Sequence, residues 1–190
     1  MKKEVFKTEL NYIKSKEYQK NAEILIELLP DYFFEVSAAS TGKYHPKFAQ
    51  GEGGLVRHTK AAVRIAYELL PGIIGEPFKQ EEKDLMILAL IIHDGLKHGI
   101  TKQQYVQFDH PILIAGFVKK YQDKTTFTDN EIAFLQNVLL SHLGQFTTNY
   151  YSDVVLPRPT NKYQKFVHMC DNLSSKKFLN IKFENNKIVD

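Results

Sequence analysis

Helical spacing dominates the distribution of apolar residues along the chain. Ile24, Leu25, Leu28 and Leu29 repeat at the three- and four-residue intervals of one buried face. The pattern stops at Pro30, which has no N–H to continue a helix, so a helix is predicted over about residues 17–29, with another before it. The stretch from Ser37 to Gly54 follows neither the helical nor the strand period and is rich in Ser, Thr, Gly and Pro, which predicts a long loop; loops of this length are often functional. Val63, Ile65, Ala66, Leu69 and Leu70 predict a helix from near Val56 to the Pro71-Gly72 pair. Gln80 to Ile92 is apolar all round in its second half and should be the most buried helix. A further helix opens at Pro111, where the missing N–H is not needed, and runs to Tyr121. Thr128 and Glu131 have capping-box spacing ahead of Ile132, Leu135, Val138, Leu139 and Leu140, predicting a helix to about His142. Beyond Pro157 and Pro159, Thr160 is the expected cap of a last long helix carrying Phe166, Val167 and Cys170. The tail from Phe178 to Val189 alternates around Glu184-Asn185-Asn186, as a hairpin does. The pattern predicts an all-α protein, a compact helical bundle with a short C-terminal β-hairpin. Without repeats or linkers it reads as one domain over residues 1–190, with a core at about 51–178, helices of 1–36 packed on it, and the hairpin at 178–190.

Composition narrows the function classes. The 190 residues are 43% hydrophobic and 25% charged, outside the regime of disorder, and a chain of this size buries roughly 70% of its unfolded surface. A net charge of +3 from 25 basic and 22 acidic residues is spread in short pairs such as Lys2-Lys3, Lys119-Lys120 and Lys176-Lys177, which is no nucleic-acid footprint. Cys170 is the single cysteine, so neither an intrachain disulfide nor a thiolate-rich zinc site can form, and a reducing cytoplasm is expected. The longest apolar run, Leu85 to Ile92, falls far short of the ~20 residues of a membrane span, and the N-terminus has no signal-type apolar region.

The chemistry-bearing residues sit at the ends of apolar helices. The run from Leu85 to Ile92 leads directly into His93 and Asp94. A bare carboxylate there would be costly, and a divalent cation, which favours neutral imidazole and ionised carboxylate, removes that cost. A lone His-Asp pair is weak, but it has companions. His58 follows Gly53-Gly54-Leu55-Val56-Arg57 at a helix start, His110 immediately precedes the Pro111 helix, His142 closes the helix from Thr128, and Asp171 lies inside the last helix. Buried hydrogen-bonded residues or helix caps are the plain alternatives.

In this order, His58, then His93-Asp94, then Asp171, the chain resembles the HD superfamily of metal-dependent phosphohydrolases, over about residues 51–178. With His110 and His142 between the doublet and the last aspartate, it looks like the members that carry two metals. Gly53 to Thr59 and Ser141 to Gly144 are similar to segments in the HD domain of bacterial 3′→5′ exoribonucleases. Two departures stand out: His93-Asp94-Gly95-Leu96-Lys97 replaces the frequent His-Asp-Ile-Gly-Lys, and Leu143 stands where a second adjacent histidine is common. The resemblance implies an HD-type bundle, one or two divalent ions (Mn, Fe, Ni, Co or Zn) held by His58, His93, Asp94, His110, His142 and Asp171, and hydrolysis of a phosphomonoester or phosphodiester of a nucleotide or short oligonucleotide. Asp94 would bridge two metals. Lys97, three residues beyond it, is expected to offset charge on the phosphoryl group, with a solvated lysine as the alternative. A non-catalytic nucleotide-binding or regulatory domain and a di-iron oxygenase are the competing readings.

Other residues have weaker claims. Ser37 to His45 superficially suggests a phosphate loop, but the Walker pattern needs glycine at Ser37 and Ser or Thr at Tyr44, which excludes an NTPase. Lys43, Tyr44 and His45 are expected at a substrate entrance. Arg57, beside His58, is a candidate phosphate contact, an exposed arginine at a helix start being the alternative. His98 and His168 are expected to orient other groups rather than to ligate.

Overall fold

A computed structural model describes residues 1–39, 45–179 and 181–189. It is all-α with a small hairpin: among the described residues the helices are α1 (Lys7–Leu10), α2 (Lys16–Leu28), α3 (Gly54–Leu69), α4 (Gln80–Ile92), α5 (His110–Lys120), α6 (Asp129–Leu140) and α7 (Lys162–Ser174), followed by β1 (Phe183–Glu184) and β2 (Lys187–Ile188). No described helix is long and apolar enough to cross a membrane.

Helix α4 is the axis of the molecule. It packs against α2, α3, α6 and α7, which is why its residues from Leu85 to Ile92 are buried without a polar face. Its one buried carboxylate before the site, Asp84, accepts from the backbone N–H groups of Lys14 and Ser15 and from Gln80 Nε2, pinning the turn between α1 and α2. Around α4 a continuous apolar core runs from Phe6 to Cys170.

Local signals set the helix boundaries, with some shifts from the sequence pattern. Ser15 caps α2, accepting from Tyr18 N–H, and Thr128 with Glu131 forms the expected capping box of α6. Helix α6 stops at Leu140, so His142 stands in the following turn rather than in the helix. The cap of α7 is Asn161, not Thr160: Asn161 Oδ1 accepts from Gln164 N–H at 2.9 Å, while Gln164 Oε1 takes the N–H groups of Thr160 and Asn161. Helix α3 starts two residues before the expected Val56, because Gly53 turns the chain with φ +67° and a Cβ on Gly54 would lie 2.3 Å from the Ala49 carbonyl oxygen. The predicted long loop contains a 3₁₀ turn at Lys47–Ala49 and folds back through Ala38 N–H onto Ala49.

The predicted C-terminal hairpin is present. Phe183 pairs with Ile188 and Glu184 with Lys187, antiparallel. Asn185 and Asn186 both have positive φ, the requirement of the tight turn whose twist matches the strands.

Candidate metal centre

Five elements deliver the six predicted ligands to one place. Helix α3 carries His58 and α7 carries Asp171; His93 caps the C-terminus of α4 and Asp94 follows it; His110 opens α5, and His142 lies just past α6. Five of the six are at most 2% exposed, and Asp171 is half-buried on the cavity side. They form two groups, His58 with His93 and Asp171, and Asp94 with His110 and His142, in each of which the candidate ligand atoms lie within 4.8 Å of one another.

Asp94 faces both groups. Its Oδ2 is 3.5 Å from His58 Nε2, 3.5 Å from His93 Nε2 and 2.6 Å from Lys97 Nζ. Its Oδ1 is 3.1 Å from His110 Nε2 and 3.7 Å from His142 Nε2. Asp171 Oδ1 closes the first group at 3.0 Å from His58 Nε2 and 3.4 Å from His93 Nε2. Four ligands placed tetrahedrally about one ion at about 2.1 Å would stand about 3.4 Å apart, the spacing seen here.

The hydrogen-bond chemistry favours cations over a closed polar cluster. His93, His110 and His142 each put Nδ1 2.7 Å from a carbonyl oxygen three residues earlier, of Leu90, Gln107 and Leu139. A carbonyl only accepts, so each Nδ1 bears the hydrogen and each ring, when neutral, turns an unprotonated Nε2 inward. Ser174 does the same for His58: its hydroxyl donates to the Asp171 carbonyl at 2.7 Å and accepts from His58 Nδ1 at 3.0 Å. As a result His110 Nε2 and His142 Nε2, both acceptors when the rings are neutral, oppose each other at 3.0 Å beside a carboxylate oxygen, and burial lowers the pKa of His110. His93 Nε2 is buried with no hydrogen-bond partner. A positive ion at each group satisfies all of these atoms, so the two groups could hold metal ions.

Ser174 is invisible to motif reading, since its role follows only from the approach of α7 to α3. Ser174→Ala is expected to weaken metal binding about 10- to 100-fold, the usual effect of losing a group that orients a ligand. Competition against a chromogenic chelator reads it, and unchanged affinity would remove Ser174 from the site.

Charge at the centre is strongly biased. Burial opposes ionisation of both carboxylates, yet Lys97 and His93 hold Asp94, and His93 and His58 hold Asp171, well below the usual carboxylate range. Burial also disfavours the cation at His93, but the charges of Asp94 and Asp171, with the Leu90 carbonyl accepting from Nδ1, raise it to about 9. Burial lowers His58, and lowers His45 to about 3. For metal-free protein the signs are opposite on the two sides of the ordinary histidine value near 6.5. Stability supplied by charged His93 is complete below 6.5 and is lost as pH rises through 9. Below 6.5 the unfolded chain takes up protons that folded His45, His58 and His110 refuse, so stability falls there too. Denaturant titrations in chelator should therefore show a maximum near pH 6.5, and a curve still rising from 6.5 to 9 would contradict the arrangement.

An open cavity of about 730 Å³ leads to the centre, and Asp94, Asp171, Lys97, His45 and His168 line it. Lys97 is thus both the ion-pair partner of Asp94 and a cation facing the cavity. His45, expected at a substrate entrance, lines this cavity, with its ring 5.0 Å from that of His58. His168 donates from Nδ1 to the His142 carbonyl at 2.7 Å, fitting an orienting role, and also lines the cavity. Gly144, φ +66°, leaves room for that ring: a Cβ there would sit 2.0 Å from it. His98 is bonded through Nδ1 to the Gln103 carbonyl and is not among the cavity residues. Lys43 and Tyr44 lie outside the described residues. Arg57 is a correction. Its guanidinium is committed to the carbonyls of Phe48 and Gln50 and to Asn186 Oδ1, fastening the 45–50 segment and the hairpin turn to α3, and it does not line the cavity. The sequence reading missed the outer lining, Leu143, Phe146, Asn172, Ser175, Lys176 and Lys177, of which only the lysine pair carries a visible signal.

Comparison with protein-family models, with curated proteins and with solved structures gives no match to this chain.

Proposed function

We propose that the protein is a metal-dependent phosphohydrolase of the HD type, cleaving a phosphomonoester or phosphodiester of a nucleotide or short oligonucleotide in a reducing, cytoplasmic setting. The observation that carries this reading is Asp94, whose two oxygens face two histidine-containing groups at the inner end of an open cavity. His58, His93 and Asp171 would hold one divalent ion, His110 and His142 a second, with Asp94 shared; Mn, Fe, Ni, Co and Zn all suit such a mixed shell. When bound, such ions polarise phosphoryl oxygens and make a water nucleophilic at neutral pH.

The chain's own residues do the rest. The pinned Nδ1–H groups hold the four rings in one tautomer, so no ring rotation is needed when substrate arrives. Lys97 fixes the Asp94 carboxylate at 2.6 Å and presents positive charge where phosphoryl oxygens would enter; losing one such preorganised group commonly costs about 10²–10³ in rate. His45 and His168 flank the approach.

Elemental analysis of protein purified without chelator, followed by a screen of nucleotide esters with that metal restored, tests the proposal. Bound metal with turnover is expected. Metal and nucleotide binding without turnover would leave a non-catalytic domain, and iron-dependent oxygen uptake would replace hydrolysis by oxygenation.

A further inference from the structure

We infer that the cavity takes a nucleotide bearing a second phosphate, bound by Lys176 and Lys177, with its base carried on Phe146. This rests on the phosphohydrolase reading for the position of the first phosphate. The cavity grades outward from the buried Asp94 and Lys97 to half-buried Lys176 and exposed Lys177 just past the end of α7. Its ~730 Å³ lies within the range of sites for whole cofactor-sized molecules, far more than one phosphate fills.

The charges divide in the same way. Lys97 is committed to Asp94, and elsewhere Lys2, Lys3, Lys60 and Lys119 pair with carboxylates. Lys176 and Lys177, like most lysines of the chain, make no ion pair among the described residues, but they stand in the wall of a cavity that also holds the carboxylates Asp94 and Asp171. Once ions are held by those carboxylates, the outer cavity is positive and lacks an anion. Phe146, 60% exposed, and Leu143 also line the cavity and give its wall an apolar face. Planar bases stack on such rings regardless of sequence. The Asn172 side-chain amide has no hydrogen-bond partner among the described residues and is available to a sugar or base edge. A second cavity shares His45 and Lys177 with the first, so Lys177 stands where the two adjoin.

The test compares Mn²⁺-loaded full-length protein and the variant K176A/K177A, which leaves the core untouched, in equilibrium binding of adenosine 5′-monophosphate, adenosine 5′-diphosphate and adenosine 3′,5′-bisphosphate. At least one two-phosphate probe should bind the native chain about tenfold or more tightly than the monophosphate, the usual worth of hydrogen bonds to a charged partner. That preference should vanish in the variant while monophosphate binding stays within twofold. The diphosphate or the bisphosphate, whichever gains more, places the second phosphate next to the first or across the sugar. Phe146→Ala should weaken all three adenine probes about tenfold relative to ribose 5-phosphate. Equal binding of the three probes, no measurable binding, or a preference that survives K176A/K177A overturns the inference. Parallel turnover of bis(p-nitrophenyl) phosphate bears on the hydrolase reading alone, so the two can fail separately.

Discussion

Asp94→Ala is expected to lose metal at both groups and to lower phosphoester hydrolysis by at least about 10³-fold, because one carboxylate serves both. Far-ultraviolet circular dichroism should stay near wild type. The core around α4 does not include this side chain, and Lys97, released from its partner, lines the cavity and can hydrate there. Metal content and activity must fall together. A metal-free Asp94→Ala protein that still turned over substrate would refute the assignment. Asp171→Ala should act more narrowly, since among the described residues that carboxylate pairs with His58 and His93 alone.

Lys60→Ala is expected to cost about 3–5 kcal/mol of stability, a large share of the about 5–15 kcal/mol typical of a folded domain. Lys60 is 2% exposed on α3, and its ammonium meets Glu9 Oε2 at 3.0 Å and the Val5 carbonyl. Truncation leaves Glu9, 3% exposed, with its charge buried and unpaired. Replacing both partners by apolar residues, Lys60→Met with Glu9→Leu, should recover most of the loss, because a buried pair gains little over well-packed hydrocarbon once desolvation is counted. Urea midpoints of Lys60→Met, Glu9→Leu and the double variant, set against the native chain, give the coupling directly. Losses that merely add would mean that the two charges do not depend on each other.

These two residues also mark where the sequence was and was not informative. Asp94 was legible because a carboxylate directly after the apolar run Leu85–Ile92 conflicts with its surroundings, and such conflicts point to a site. Lys60 was not, because a lysine on an amphipathic helix reads as solvated, and only the return of the 1–13 segment over α3 buries it. The α6 cap and the hairpin turn were legible because Thr128, Glu131, Asn185 and Asn186 act within a few residues of themselves. The start of α3 was not, because Gly54 answers to Ala49 across a loop. The same distinction separates the six convergent side chains from Ser174, whose place comes from the contact of α7 with α3, segments far apart in sequence. Arg57 was assigned to the substrate by its nearness to His58, yet packing turned it towards the hairpin.

The pinned imidazoles bear on which ion the two groups could hold. Each ring is set by its own carbonyl or by the Ser174 hydroxyl before any ion arrives, so the pocket keeps one shape for every visitor. Fixed rings would hold any ion to the geometry they already have, favouring one suited to closely spaced imidazole and carboxylate ligands. Selection among divalent ions would then rest on that geometry and on which ion is supplied through the cavity mouth, rather than on intrinsic affinity alone.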